Sequence, residues 1–133
     1  MASILRVNTL TDASSNNSTA MSTINQGTAK AWINFNGTGT IATRDSFNVS
    51  GITDNGTGDY TVTIDNDFSN ANYSAVGCCL AGTGSGNNGQ VVSSEGSSGN
   101  APAGFIRFAV QYSSSQAKND VEGISVQFHG DLA

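Results

Sequence analysis

Four groups of residues in this chain have types that could do chemistry: the single His129, the adjacent Cys78 and Cys79, the carboxylates Asp54, Asp59, Asp65 and Asp67, and the single Trp32. Serine-type hydrolysis needs a histidine beside a serine and a carboxylate to orient it. Alternation sets His129 on the polar side of the closing segment, and the chain has no Gly-x-Ser-x-Gly elbow. Neighbouring cysteines form only a strained disulfide, and metal sites space their thiolates, so Cys78 and Cys79 read as small reduced strand residues. They face opposite ways, which lets one of them sit at a subunit boundary. Asp65-Asn66-Asp67 resembles half of a calcium loop, but the glycine and closing glutamate of an EF-hand are missing. Asx residues that close turns explain the four aspartates better. No catalytic residue, metal ligand or cofactor is therefore assigned, and the chain does not read as an enzyme. Trp32 alternates with Lys30 and Asn34, away from Ile33 and Phe35. It is read as a subunit or core contact in preference to a sugar-stacking platform.

These residues need a scaffold, and the scaffold is written in period two. Ala31, Ile33 and Phe35 alternate with Lys30, Trp32 and Asn34. Phe47 and Val49 alternate with Ser46, Asn48 and Ser50, and Tyr60, Val62 and Ile64 with Asp59, Thr61 and Thr63. Such alternation over short runs is that of half-buried strands. The joints Asn36-Gly37-Thr38-Gly39 and Asp54-Asn55-Gly56-Thr57-Gly58 supply the positive φ angles of tight turns. Ile52 breaks the parity set by Val49, which predicts a bulge or turn at Gly51. Further strands are expected over Asn72 to Leu80, Gln90 to Ser94, Phe105 to Tyr112 and Val121 to His129. Apolar residues on both faces of the first of these suggest a central strand or a subunit contact. Tyr60, Val62, Ile106, Phe108, Val110, Ile124, Val126 and Phe128 are the expected core. The fold class is all-β, a small antiparallel sandwich, jelly-roll-like, of about eight strands.

Two domains of behaviour are expected, an N-terminal segment over residues 1–28 and the sandwich over 29–133. In the first, Ile4, Leu5, Val7 and Leu10 predict a strand from Ser3 to Leu10, followed by a polar linker from Asp12 to Gly27. The run Ala20 to Gln26 is compatible with a helix too short to stand alone. A strand cut off by a linker must pair with its own sandwich or with another chain, and the second is expected here.

The 133 residues carry ten acids against five bases, a net charge of −5, and only 11% are charged. The bases Arg6, Lys30, Arg44, Arg107 and Lys118 are scattered, so no patch exists to displace counterions from a nucleic acid. No run approaches the length of a membrane span, and no basic segment with an apolar stretch marks a signal peptide. The expectation is a chain made in a cytoplasm, not exported by a signal peptide and not inserted in a membrane.

The run from Lys30 to Ile64, KAWINFNGTGTIATRDSFNVSGITDNGTGDYTVTI, followed by NANYSAVG, resembles the C-terminal domain of short tail-fibre proteins of tailed bacteriophages, marine and cyanobacterial ones above all. The opening ILRVNTLTDASSNN resembles the segment that precedes this domain, and the ending ISVQFHGDLA resembles its closing strand. The resemblance fades between Ala81 and Ala103. It implies a virion protein, a homotrimeric fibre that docks on other virion proteins through its N-terminal segment and binds a host surface glycan or protein without covalent chemistry. A head or tail decoration or connector protein without a receptor is the alternative. Ile4, Leu5, Val7, Leu10 and Trp32 are then the expected oligomer or virion contacts. Receptor contacts are expected where the strand pattern breaks, at Asn87, Asn88, Gln90, Glu95, Asn100, Gln116, Lys118 and Asn119, because loops on a rigid sheet can vary without unfolding it.

Overall fold

Eight strands in two facing antiparallel sheets build the body of the protein in a computed structural model that describes residues 4–80, 90–94 and 102–133. Ahead of them stands a separate hairpin of β1 (Thr9–Thr11) and β2 (Ser18–Ala20), then one short helix, α1 (Met21–Gly27). The first sheet has the order β4-β3-β10-β7, from β3 (Ala31–Asn36), β4 (Ala42–Phe47), β7 (Ser74–Leu80) and β10 (Gly123–His129). The second has the order β5-β6-β9-β8, from β5 (Val49–Gly56), β6 (Asp59–Ile64), β8 (Gln90–Ser94) and β9 (Phe105–Tyr112). The chain keeps to one sheet from β3 to β4, β5 to β6 and β8 to β9, and changes sheets at every other step within the sandwich. The expected all-β sandwich is the fold. No helix among the described residues is long and apolar enough to cross a membrane.

The alternating residues meet between the sheets. Ala31, Ile33 and Phe35 of β3 and Ile124, Val126 and Phe128 of β10 are buried against Tyr60, Val62 and Ile64 of β6 and Ile106, Phe108 and Val110 of β9. All eight expected core residues are among them. Phe35, Tyr60 and Phe108 form a mutual aromatic cluster, with ring centroids 5.1 to 6.1 Å apart. Burying each of these side chains contributes about 1.5–3 kcal/mol. Phe68, from the β6–β7 connection, and Val121, just before β10, also belong to this core. Phe68 stands in no alternating run, and Val121, at the start of the expected last strand, precedes the observed one and is out of step with Ile124, Val126 and Phe128, which is why period two does not find them. Phe68 stacks on Tyr73 at 4.4 Å.

Three expectations need correction. The run Ser46 to Ser50 is not one strand. Asn48 takes φ 53°, and the chain turns there from β4 in the first sheet to β5 in the second. Phe47 consequently faces solvent, 54% exposed, while Val49 packs on the core. The Asx side chain makes the corner possible, because Asn tolerates the left-handed region and can satisfy the backbone it displaces. β7 is an edge strand, not a central one. Finally, of the strand expected over Ser3 to Leu10, Ser3 lies outside the described residues and residues 4–8 are not in a strand. Among the described residues only Thr9–Thr11 pair there, and they pair with Ser18–Ala20 inside the expected linker. Asp12 closes this hairpin by accepting from Asn17 Nδ2 at 2.7 Å, from the Asn16 backbone N–H at 3.0 Å and from Ser14 Oγ at 3.1 Å. The predicted parity break is seen as a register shift between Val49 and Gly51 in the β5–β6 ladder.

Candidate binding surfaces

Strand direction sorts the connections to two ends. β3 finishes at Asn36, β6 begins at Asp59, β9 finishes at Tyr112 and β10 begins at Gly123, all at one end, called distal here. The N-terminal segment reaches Lys30 at the opposite, proximal end. There Asn48 Nδ2 donates to the carbonyls of Lys30 at 3.0 Å and Asn66 at 3.1 Å, and Asn48 Oδ1 accepts from the Asn66 backbone N–H at 2.8 Å. The Lys30 ammonium is drawn back to the C-terminal part of α1, donating to the Asn25 backbone carbonyl and, at 2.7 Å, to Asn25 Oδ1.

The distal end is held by carboxylates. Asp59, its side chain only 8% exposed, receives Arg107 Nε at 2.7 Å on Oδ1 and Lys118 Nζ at 2.6 Å on Oδ2. A second Arg107 nitrogen donates to Oδ2, so the pair is bidentate. The hydrogen bonds from Arg107, with the Lys118 ammonium beside it, hold the Asp59 carboxyl well below the usual carboxylate range against the opposing effect of burial. Asp120 reaches across to the other turns. Its Oδ1 accepts from the Gly58 backbone N–H at 2.6 Å and lies 2.9 Å from the Tyr60 hydroxyl. That hydroxyl is also 3.0 Å from the Gly37 carbonyl, and its one proton serves either acceptor. Burial, reinforced by Asp120, raises the Tyr60 phenol far above its ordinary value. The two glycines are required. A Cβ on Gly37 would lie 2.5 Å from the Tyr60 hydroxyl, and one on Gly58, at φ +61°, would lie 2.5 Å from the Val110 carbonyl oxygen.

A different surface lies on the outer face of the first sheet. Trp32, Gln127 and Val76 are partners in one row across β3, β10 and β7, and Asn34, Ser125 and Cys78 form the next row on the same face. Ser125 is small and central while its neighbours are longer, so the face sinks into a groove of about 420 Å³. Asn34 Nδ2 donates to Ser125 Oγ at 2.6 Å across its floor. Among the described residues, no charged one lines it.

Among the expected receptor contacts, Gln116 is exposed at φ 57° with its N–H bound to the Tyr112 carbonyl, and Asn119 donates its N–H to Val110. Lys118 is engaged by Asp59 within the chain, so its ammonium serves first to hold this loop. Gln90 opens β8 opposite Tyr112 at the distal end, and β8 runs away from that end towards Ser94. Asn87, Asn88, Glu95 and Asn100 lie outside the described residues. Of the expected oligomer contacts, Ile4 is 76% and Leu5 80% exposed, Val7 and Leu10 are exposed as well, and Trp32 is half-buried in the groove.

The other chemistry-bearing residues are dispersed. Asp54 accepts from the Gly56 backbone N–H at 2.9 Å, a turn role, while Asp59 is committed to Arg107 and Lys118. Cys78 is exposed in the groove and Cys79 turns inward, where burial pushes its thiol up. His129 is partly exposed opposite Ser74. Asn34, Ser125, Gln127 and Asp120 are the residues that sequence reasoning did not single out. Alternation puts Asn34 with Trp32, and Ser125 with Gln127, but nothing local says that β3 and β10 are neighbours. No family model, curated protein or solved structure matches this chain.

Proposed function

We propose that this chain is a bacteriophage virion protein, a short homotrimeric tail fibre that attaches to the host surface without covalent chemistry. The observation that carries the reading is the polarity of the sandwich. The N-terminal segment, with exposed Ile4, Leu5, Val7 and Leu10, arrives at the proximal end, and the turn at Gly58 and the loop around Gln116 are braced at the distal end. An apolar strip leading into a separate hairpin suits docking to other copies and to virion proteins, and a braced loop end suits contact with a partner surface. Weak contacts repeated over three copies per fibre and many fibres per particle would add up to firm attachment.

Electron microscopy of intact particles, with this chain tagged at its C-terminus, tests the proposal. Density at the distal tips of tail appendages is the expected result. Density wedged between head subunits would overturn it in favour of a decoration protein. Sedimentation of a variant lacking residues 1–27 tests the trimer separately. The variant should sediment as a monomer with unchanged β-type circular dichroism, whereas an unchanged mass would overturn the assigned role of the N-terminal segment.

A further inference from the structure

We infer that the groove on the outer face of β3, β10 and β7 is a binding site for one or two rings of a neutral saccharide. The floor and walls supply what such a ligand needs. Trp32 stands at one side of its row and Val76 at the other, with Gln127 between them. The indole is a large flat apolar surface, and the C–H face of a pyranose ring is the apolar surface of a sugar. Beside it the hydrogen-bonding groups both give and take. Asn34 spends an N–H on Ser125, which leaves Asn34 Oδ1 as an acceptor and the Ser125 hydroxyl proton as a donor. Gln127 is exposed and adds a whole amide. A pair of neighbouring sugar hydroxyls, each donor and acceptor at once, matches that set.

Size and charge narrow the ligand. A volume of about 420 Å³ falls in the range of small-molecule sites, roughly 300–1,000 Å³. Among the described residues, the lining holds no cation to meet a carboxylate or sulfate. Asp45 stands next to Asn34 in the neighbouring strand, the Lys30 ammonium is turned to Asn25, and the whole chain carries −5. An acidic sugar would therefore be repelled where a neutral one is not. The inference rests on the attachment reading only for the source of the sugar, a cell surface; the groove chemistry stands without it.

Trp32 is the only tryptophan, so its fluorescence reports the groove directly. The full chain is titrated with maltotriose, cellotriose, mannotriose and lactose, and with galacturonic acid trimer as the acidic control. At least one neutral sugar should give a saturable change with a Kd of about 1 mM, some −4 kcal/mol. Gln127→Ala, a change at an exposed position, should weaken it about tenfold with an unchanged circular dichroism spectrum. Trp32→Ala, followed by calorimetry, should abolish it. No response from any neutral sugar, a response to the acidic trimer alone, or binding that survives both substitutions would each overturn the inference. In parallel, the fluorescently labelled chain is applied to bacterial cells. Cell labelling without a sugar response would sink the groove and leave the attachment reading standing. A sugar response without labelling would do the reverse.

Discussion

At the proximal end of the sandwich the corner between the sheets is tied by a neutral amide, Asn48, which reaches Lys30 and Asn66. At the distal end the connections are tied by ions: Asp59 to Arg107 and Lys118, and Asp120 to Gly58 and Tyr60. Both arrangements satisfy backbone and side-chain groups that the connections would otherwise leave unpaired. They differ in what can undo them. An amide does not titrate, whereas a carboxylate loses its grip when protonated. The end proposed for partner contact is thus the one whose brace responds to pH and, through the partly exposed Arg107 and Lys118, to salt.

The core between the ends sets the scale for breaking that comparison. Phe108→Ala should cost about 3–5 kcal/mol in urea unfolding, as for emptying a buried aromatic site, and should weaken both ends alike. A loss under about 1 kcal/mol would mean that Phe108 does not pack between the sheets. Gly58→Ala should come next, about 2–4 kcal/mol, because it adds a left-handed penalty to a collision with backbone at Val110 and Asn119. Gly39 shares the positive φ, but nothing lies within 4 Å of a Cβ built there, so Gly39→Ala should cost only about 1–2 kcal/mol. Equal losses at the two glycines would show that the distal turn is not closely packed.

Asp59→Asn should cost about 1–3 kcal/mol at neutral pH, less than a fully buried pair, since Arg107 is 48% and Lys118 33% exposed and both can rehydrate. Its signature is in the pH profile. The folded carboxyl of Asp59 is depressed, so its contribution is fully present above the unfolded value near 4 and drains away as pH falls further. Tyr60 works in the opposite sense. Its folded phenol is raised, so its contribution is present below about 10 and is lost in more alkaline solution. The parent should therefore lose more stability than Asp59→Asn between pH 5 and pH 2, and parallel curves would refute the ionic brace. Asn48→Ala, at about 1–2 kcal/mol, should show the same deficit at every pH. The smallest effect belongs outside the sandwich. Asp12→Ala should disturb the β1–β2 hairpin, seen in amide exchange, and leave the unfolding midpoint of the sandwich unchanged.

The sequence by itself determined which apolar residues face inward along β3, β6 and β10 and most of those of β9. Alternation is a local property, enforced by the pleat, and it sorted Ile33 from Trp32 and Phe108 from Arg107 without reference to any partner strand. Turn glycines were equally legible, since Gly39, Gly56 and Gly58 do take positive φ. Only the tertiary structure decided the rest. It showed that one continuous polar-apolar run is two strands in different sheets, because the break at Asn48 is a backbone choice stabilised by Asn66, eighteen residues away. Asp120 became a brace because folding carried it to Tyr60. Trp32, Gln127 and Val76 form one groove because β10, almost a hundred residues beyond β3, closes the first sheet between β3 and β7. Strand faces follow from bonds between consecutive residues; strand neighbours follow from where the whole chain can bury its apolar side.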